Sequence, residues 1–215
     1  MKENTYEAQY DVTKKSRLKQ FYDSYKILIY SFLITIFILF GAISYYLDSI
    51  EKKKILYSEN YIQAKIYLEN GNKQEALSGL REIVFFDDST YSPLAFFLIL
   101  DQNLIKDPKE ILDMYDHLLE NNKFDKELKN LLIYKKALFS SDFIKESELL
   151  EITKPLLNSD SMWKAHTLLL LGDYFMSKKE SIKAIEFYQK ILSIENLHKD
   201  LYLQARSQLN SIVNE

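Results

Sequence analysis

The sequence predicts an all-α protein: a single N-terminal transmembrane helix, then an α-solenoid of about four helix pairs, then a C-terminal capping helix. Three observations lead there. Only 4 Gly and 3 Pro occur in 215 residues, too few for a sandwich or barrel that turns every ~8–12 residues. Residues 27–47 carry no charge. Small and large apolar residues then recur at a near-constant interval along the rest of the chain. There is no cysteine, which excludes a disulfide framework, a thiolate metal site, a cysteine nucleophile and a lipidated cysteine.

The first element is the uncharged run. Its 21 residues, flanked by Lys26 and Asp48, would cross about 30 Å as a helix at ~1.5 Å per residue, the thickness of a bilayer core. Thirteen of them are Ile, Leu or Phe, favouring insertion by about 4–8 kcal/mol before the Ser, Thr and Gly corrections. Tyr25 and Tyr30 at one end, and Tyr45 and Tyr46 at the other, fall where interfacial aromatic belts form. A cleaved signal peptide is the competing reading, since Ala42, Ile43 and Ser44 form a small-x-small sequence. The apolar run exceeds the ~7–15 residues of a signal peptide's hydrophobic region. The domains expected are therefore a cytoplasmic leader over residues 1–26, the span over 27–47, and a helical domain over 48–215. Five Lys and Arg residues precede the span (Lys14, Lys15, Arg17, Lys19, Lys26) and three follow it (Lys52, Lys53, Lys54). The positive-inside bias then puts the N-terminus in the cytoplasm and the large domain across a bacterial inner membrane, in the periplasm.

The clearest repeat covers residues 165–196. Gly172 and Ala184 are small enough for two antiparallel helices to approach closely, and Phe175 and Tyr188 fill the space above and below them. This unit resembles a tetratricopeptide repeat, the helix–turn–helix of about 34 residues. With Ala165 at position 1, Leu171, Gly172, Phe175, Ala184 and Tyr188 occupy positions 7, 8, 11, 20 and 24. Ile191 and Asn196 depart from the pattern. A second copy begins near Tyr57, with Ala64, Tyr67, Ala76 and Leu80 in the same roles and Gly71 and Asn72 as the helix C-cap.

Two weaker copies lie between. The first runs from about 92 to 123, with Ser92 as N-cap and Pro93 at N1, then Asp107 as N-cap, Pro108 at N1 and Glu110 completing a capping box. The second runs from about 124 to 158, and Pro155 is expected to bend or end its second helix. Ala76, Ile111, Leu149 and Ala184, one per copy, are separated by 35, 38 and 35 residues. Residues 200–214 read as an amphipathic cap for the solenoid. No Gly or Pro falls between Ala42 and Asn70. One rod from about 24 to 69 is therefore expected, roughly 70 Å by helical rise, with a break at the charged residues 51–54 as the alternative.

Catalytic chemistry finds no motif. His117, His166 and His198 have no metal-ligand spacing, and Gly41, Gly71, Gly79 and Gly172 are too far apart for a phosphate loop. Acidic residues Asp87, Asp88, Glu146 and Glu148 read as capping or solvated charges, and Trp163 as a packing residue at a helix start. No enzyme activity, cofactor, metal or small-molecule substrate is expected. Only three arginines and a net charge of −3 argue against nucleic acid.

In tetratricopeptide domains, ligands touch one face of the first helix of each pair. Carried onto this chain, the resemblance implies a partner-binding groove made of Tyr61, Lys65, Phe96, Leu100, Tyr134, Leu138, Asp173 and Met176. Leu68, Asn103, Leu131, His166 and Leu169 continue the same face. The alternative is that these residues pack the solenoid or a neighbouring subunit. The whole plan of leader, span and repeat domain resembles the ancillary subunit family of the SecYEG translocon (YfgM-like). That resemblance implies a non-enzymatic adaptor whose partners are Sec translocon subunits and a periplasmic chaperone or prolyl isomerase. A cell-envelope scaffold or division coordinator unrelated to the translocon is the second hypothesis.

Overall fold

The computed structural model describes residues 17–213, which form helices throughout and no strand. In chain order these are α1 (Arg17–Glu69), α2 (Lys73–Val84), α3 (Tyr91–Asp101), α4 (Pro108–Asn121), α5 (Lys126–Ser140), α6 (Glu146–Leu157), α7 (Trp163–Ser177), α8 (Ser181–Leu192) and α9 (Lys199–Val213). The expected all-α class is what the chain adopts. Residues 1–16 of the leader, with Lys14 and Lys15 of the charge count, lie outside the described residues.

The chain separates into two units after Leu56. In the first, α1 has a stretch of mean hydropathy 2.5, none of it buried; Ile27 and Phe37, for example, are 78% and 82% exposed. Leaving such side chains in water forgoes about 1.5–3 kcal/mol each, so this surface needs a non-aqueous neighbour. One long apolar N-terminal helix of this kind fits a single membrane span. The helix is unbroken through residues 51–54, where Lys52 bonds Asp48 one turn back at 2.7 Å.

The second unit holds residues 57–69 of α1 and all of α2–α9. Each helix from α2 onward packs on the next, α5 also reaches α7, and α7 also reaches α9. The apolar interior forms two clusters. One gathers Ala64, Leu80, Ile83, Phe96, Met114 and Tyr115; the other gathers Leu149, Leu171, Phe175, Ala184, Tyr188 and Ala205. Helix α5 feeds both, through Leu132 and Ala137 respectively.

A close approach occurs at Gly172, as the sequence leads one to expect. A Cβ on Gly172 would lie 2.5 Å from the Tyr188 ring, so only a bare Cα lets α7 and α8 pack at that distance. Tyr188 is fully buried, and its hydroxyl donates to Asp173 Oδ1 at 2.7 Å. Burial, then that hydrogen bond, raises its phenol pKa.

Helix ends follow the capping chemistry with two corrections. Asp107 accepts from the Lys109 N–H at 3.0 Å with Pro108 at N1, as expected. Glu110, however, does not close the box. Its carboxylate is held by Arg81 of α2, at 2.7 Å from Nε and 2.6 Å from Nη2, and a charged donor outcompetes a backbone amide. Ser92 is not the N-cap of α3 either. It is buried inside the helix, donating to Ile83 O at 2.8 Å, while the Asp88 carboxylate accepts from the Thr90 and Tyr91 N–H groups. Pro155 sits in the last turn of α6, which ends two residues later at Leu157.

Candidate functional site

The residues assigned to the groove do not form one surface. Phe96 contributes nothing to it: the ring is fully buried and meets Tyr115 edge-on at 4.5 Å. The physical reason lies in α3, whose sequence YSPLAFFLILD is apolar on almost every side and so gives no phase from which to choose an outward face. Leu169 is likewise buried. Tyr61 is half-buried against the first cluster, 6.2 Å from the Tyr91 ring. Leu100 packs on that cluster too, and Met176 packs on the second. Lys65 and Leu138 are exposed.

Tyr134 of the assigned groove and His166 of its continuation do come together. The Tyr134 ring of α5 stacks on Trp163 of α7 at 5.5 Å, with His166 edge-on to Tyr134 at 5.9 Å. Burial, then the nearby Asp173 charge, raises the Tyr134 pKa. Trp163 therefore packs as expected, although its indole N–H is buried without a partner. Such an arrangement offers ring faces and one half-buried carboxylate, Asp173.

The acidic residues behave as structural charges. Asp87 Oδ1 accepts from His117 Nε2 at 2.7 Å, and Asp88 caps α3. Glu146 accepts from Lys183 at 2.8 Å, and Glu180 bonds the same ammonium at 2.7 Å. These two hydrogen bonds, Glu146 first, push the Lys183 pKa up to about 12. Among the described residues no group of three or more His, Asp and Glu side chains is placed to hold a metal ion.

A sizeable cleft lies elsewhere in the second unit. About 1120 Å³ in volume, it opens where the α6–α7 and α8–α9 connections meet the start of α7. None of the eight assigned groove residues lines it, though His166 does. Its apolar wall includes Leu157, Leu168, Phe187, Leu197 and Leu201, and Met162 stands 68% exposed at its rim. Sequence reasoning passed over it because the wall comes partly from connections. The available signal was the apolar residues Met162, Ile194 and Leu197 outside any helix.

Comparison with protein-family models, with curated proteins and with solved structures finds no match to this chain.

Proposed function

We propose that the chain is a non-enzymatic, membrane-anchored adaptor that binds other proteins through a tetratricopeptide-like solenoid. The observation that carries this reading is an apolar stretch of α1 with none of its residues buried, followed by a helical unit whose close-packing residues recur along the sequence. Gly172 under the Tyr188 ring supports the tetratricopeptide comparison at its best-matched unit. In such a solenoid the helices that follow α1 would stack in pairs, each presenting a face to a partner. The positive-inside bias favours a cytoplasmic N-terminus and a periplasmic domain at the bacterial inner membrane. On the sequence resemblance, the partners are Sec translocon subunits and a periplasmic chaperone or prolyl isomerase, and the role is to hand exported chains to folding factors.

The test is affinity purification of the full chain from native membranes in mild detergent, through a C-terminal tag, with mass spectrometry against an unrelated single-span protein. Enrichment of translocon subunits together with a periplasmic chaperone is expected. Division or other envelope proteins in their place would turn the reading to the scaffold hypothesis.

A further inference from the structure

The cleft between the α6–α7 and α8–α9 connections is a built feature that the groove assignment does not use. Its volume of about 1120 Å³ lies just above the ~300–1,000 Å³ usual for small-molecule pockets, a size suited to several residues of a chain. The wall is apolar, from Leu157, Leu168, Phe187 and Leu201. Its charged lining is two lysines, Lys164 and Lys190, against one carboxylate, Asp160, with His166 and His198 beside them.

The balance of charge lining the cleft is opposite to that of the domain. Residues 48–215 have 22 Lys and Arg against 27 Asp and Glu, a net −5, so carboxylates are in excess. Among the described residues neither Lys164 nor Lys190 has a carboxylate within ion-pair distance; Lys190 lies instead over the Phe187 ring, 4.9 Å from its centre. Exposed side-chain amides of Asn158 and Asn196 also line the cleft. They can satisfy a peptide backbone, whereas an acyl chain has no use for them.

Taking the chain to be a protein-binding adaptor, we infer that this cleft docks an apolar polypeptide segment that carries carboxylates. Leucine-like side chains fill the wall between α7, α8 and α9. Glutamate or aspartate side chains reach Lys164 and Lys190, and such charge-assisted bonds are the stronger class of hydrogen bond.

The experiment uses the full chain in nanodiscs of zwitterionic lipid, with empty nanodiscs as the blank. Binding is read by fluorescence anisotropy of two labelled peptides, one of alternating leucine and glutamate and one of alternating leucine and lysine. The glutamate peptide is expected to bind and the lysine peptide not. Lys164→Glu combined with Lys190→Glu, checked for helicity by circular dichroism, is expected to weaken the glutamate peptide at least tenfold and to admit the lysine peptide. Met162→Ser, at an exposed position, should weaken the glutamate peptide several-fold without altering the charge preference. Equal binding of both peptides, or no effect of the charge reversal, would overturn the inference. So would stoichiometric displacement of the peptide by laurate, which would make the cleft an acyl site. Co-purification of the natural partners undiminished by the double reversal would overturn this docking site and leave the adaptor reading standing.

Discussion

At the scale of single residues, Gly172 and Gly79 make opposite predictions from the same chemistry. Both lie inside helices, where Ala is better than Gly by about 0.8–1 kcal/mol. Around Gly79 nothing lies within 4 Å of an added Cβ, so Gly79→Ala is expected to stabilise the protein by up to about 1 kcal/mol. At Gly172 the added carbon would meet Tyr188 Cε1, Cδ1 and Cζ at 2.5–2.9 Å, and that ring is buried and tied to Asp173. Overpacking costs about 1–3 kcal/mol and outweighs the propensity gain, so Gly172→Ala should destabilise by about 1–2 kcal/mol. Urea unfolding of the two variants measures both. Tyrosines set an alkaline limit. Burial raises the Tyr115 pKa, burial and then Asp173 raise those of Tyr188 and Tyr134, so the folded state holds these protons more tightly than the unfolded one. Their contribution is complete below the unfolded value of about 10 and is lost as pH rises above it. Tyr188→Phe should lower stability by about 1 kcal/mol at neutral pH through the lost hydrogen bond and soften the decline above pH ~10. A pH series of thermal melts would register both changes.

At the scale of elements, the helix ends explain how a chain with so few glycines turns so often. After α1, Gly71 takes φ +80°, with Asn72 N–H bonded to Tyr67 O and Gly71 N–H to Leu68 O, the Schellman pattern. Asn103 after α3 and Lys179 after α7 close their helices through the same pair of bonds, at φ +48° and +62°. A left-handed lysine costs about 1–2 kcal/mol that glycine avoids. Lys179→Gly is thus expected to raise stability by up to about 1 kcal/mol, less what glycine's greater unfolded-state entropy removes. Asp107→Ala should lower it by ~1 kcal/mol through the lost cap. Equilibrium unfolding of both variants is the check. The same elements show what the sequence could reveal. Gly71, Asp107, Pro108 and Gly172 were legible because a turn, a cap or a close approach admits few residue types. Ser92 and Glu110 were misread because their partners, Ile83 O and Arg81, lie on another helix that no local pattern names. Phe96 was misassigned because a helix apolar all round has no amphipathic phase. The cleft at Lys164 and Lys190 was missed because it is assembled from two connections far apart in sequence.

At the scale of the whole molecule, the proposed function gives the apolar stretch of α1 and the helical domain different jobs, and each can be tested alone. Among the described residues, α5 is the helix that contributes to both of the domain's apolar clusters. Leu132→Ala and Ala137→Leu therefore perturb different clusters, the first by a cavity of about 2–5 kcal/mol and the second by overpacking of about 1–3 kcal/mol. Hydrogen exchange read by mass spectrometry should show the first loosening α2–α4 and the second α6–α8. The central claim is that one apolar helix anchors a protein-binding domain on the far side of the membrane from the N-terminus. It is tested most directly by tagging both ends, washing membranes at alkaline pH, and treating spheroplasts with external protease. The chain should stay with the membrane and lose its C-terminal tag while the N-terminal tag survives. Release by the wash, or a C-terminal tag protected in intact spheroplasts, would contradict the account.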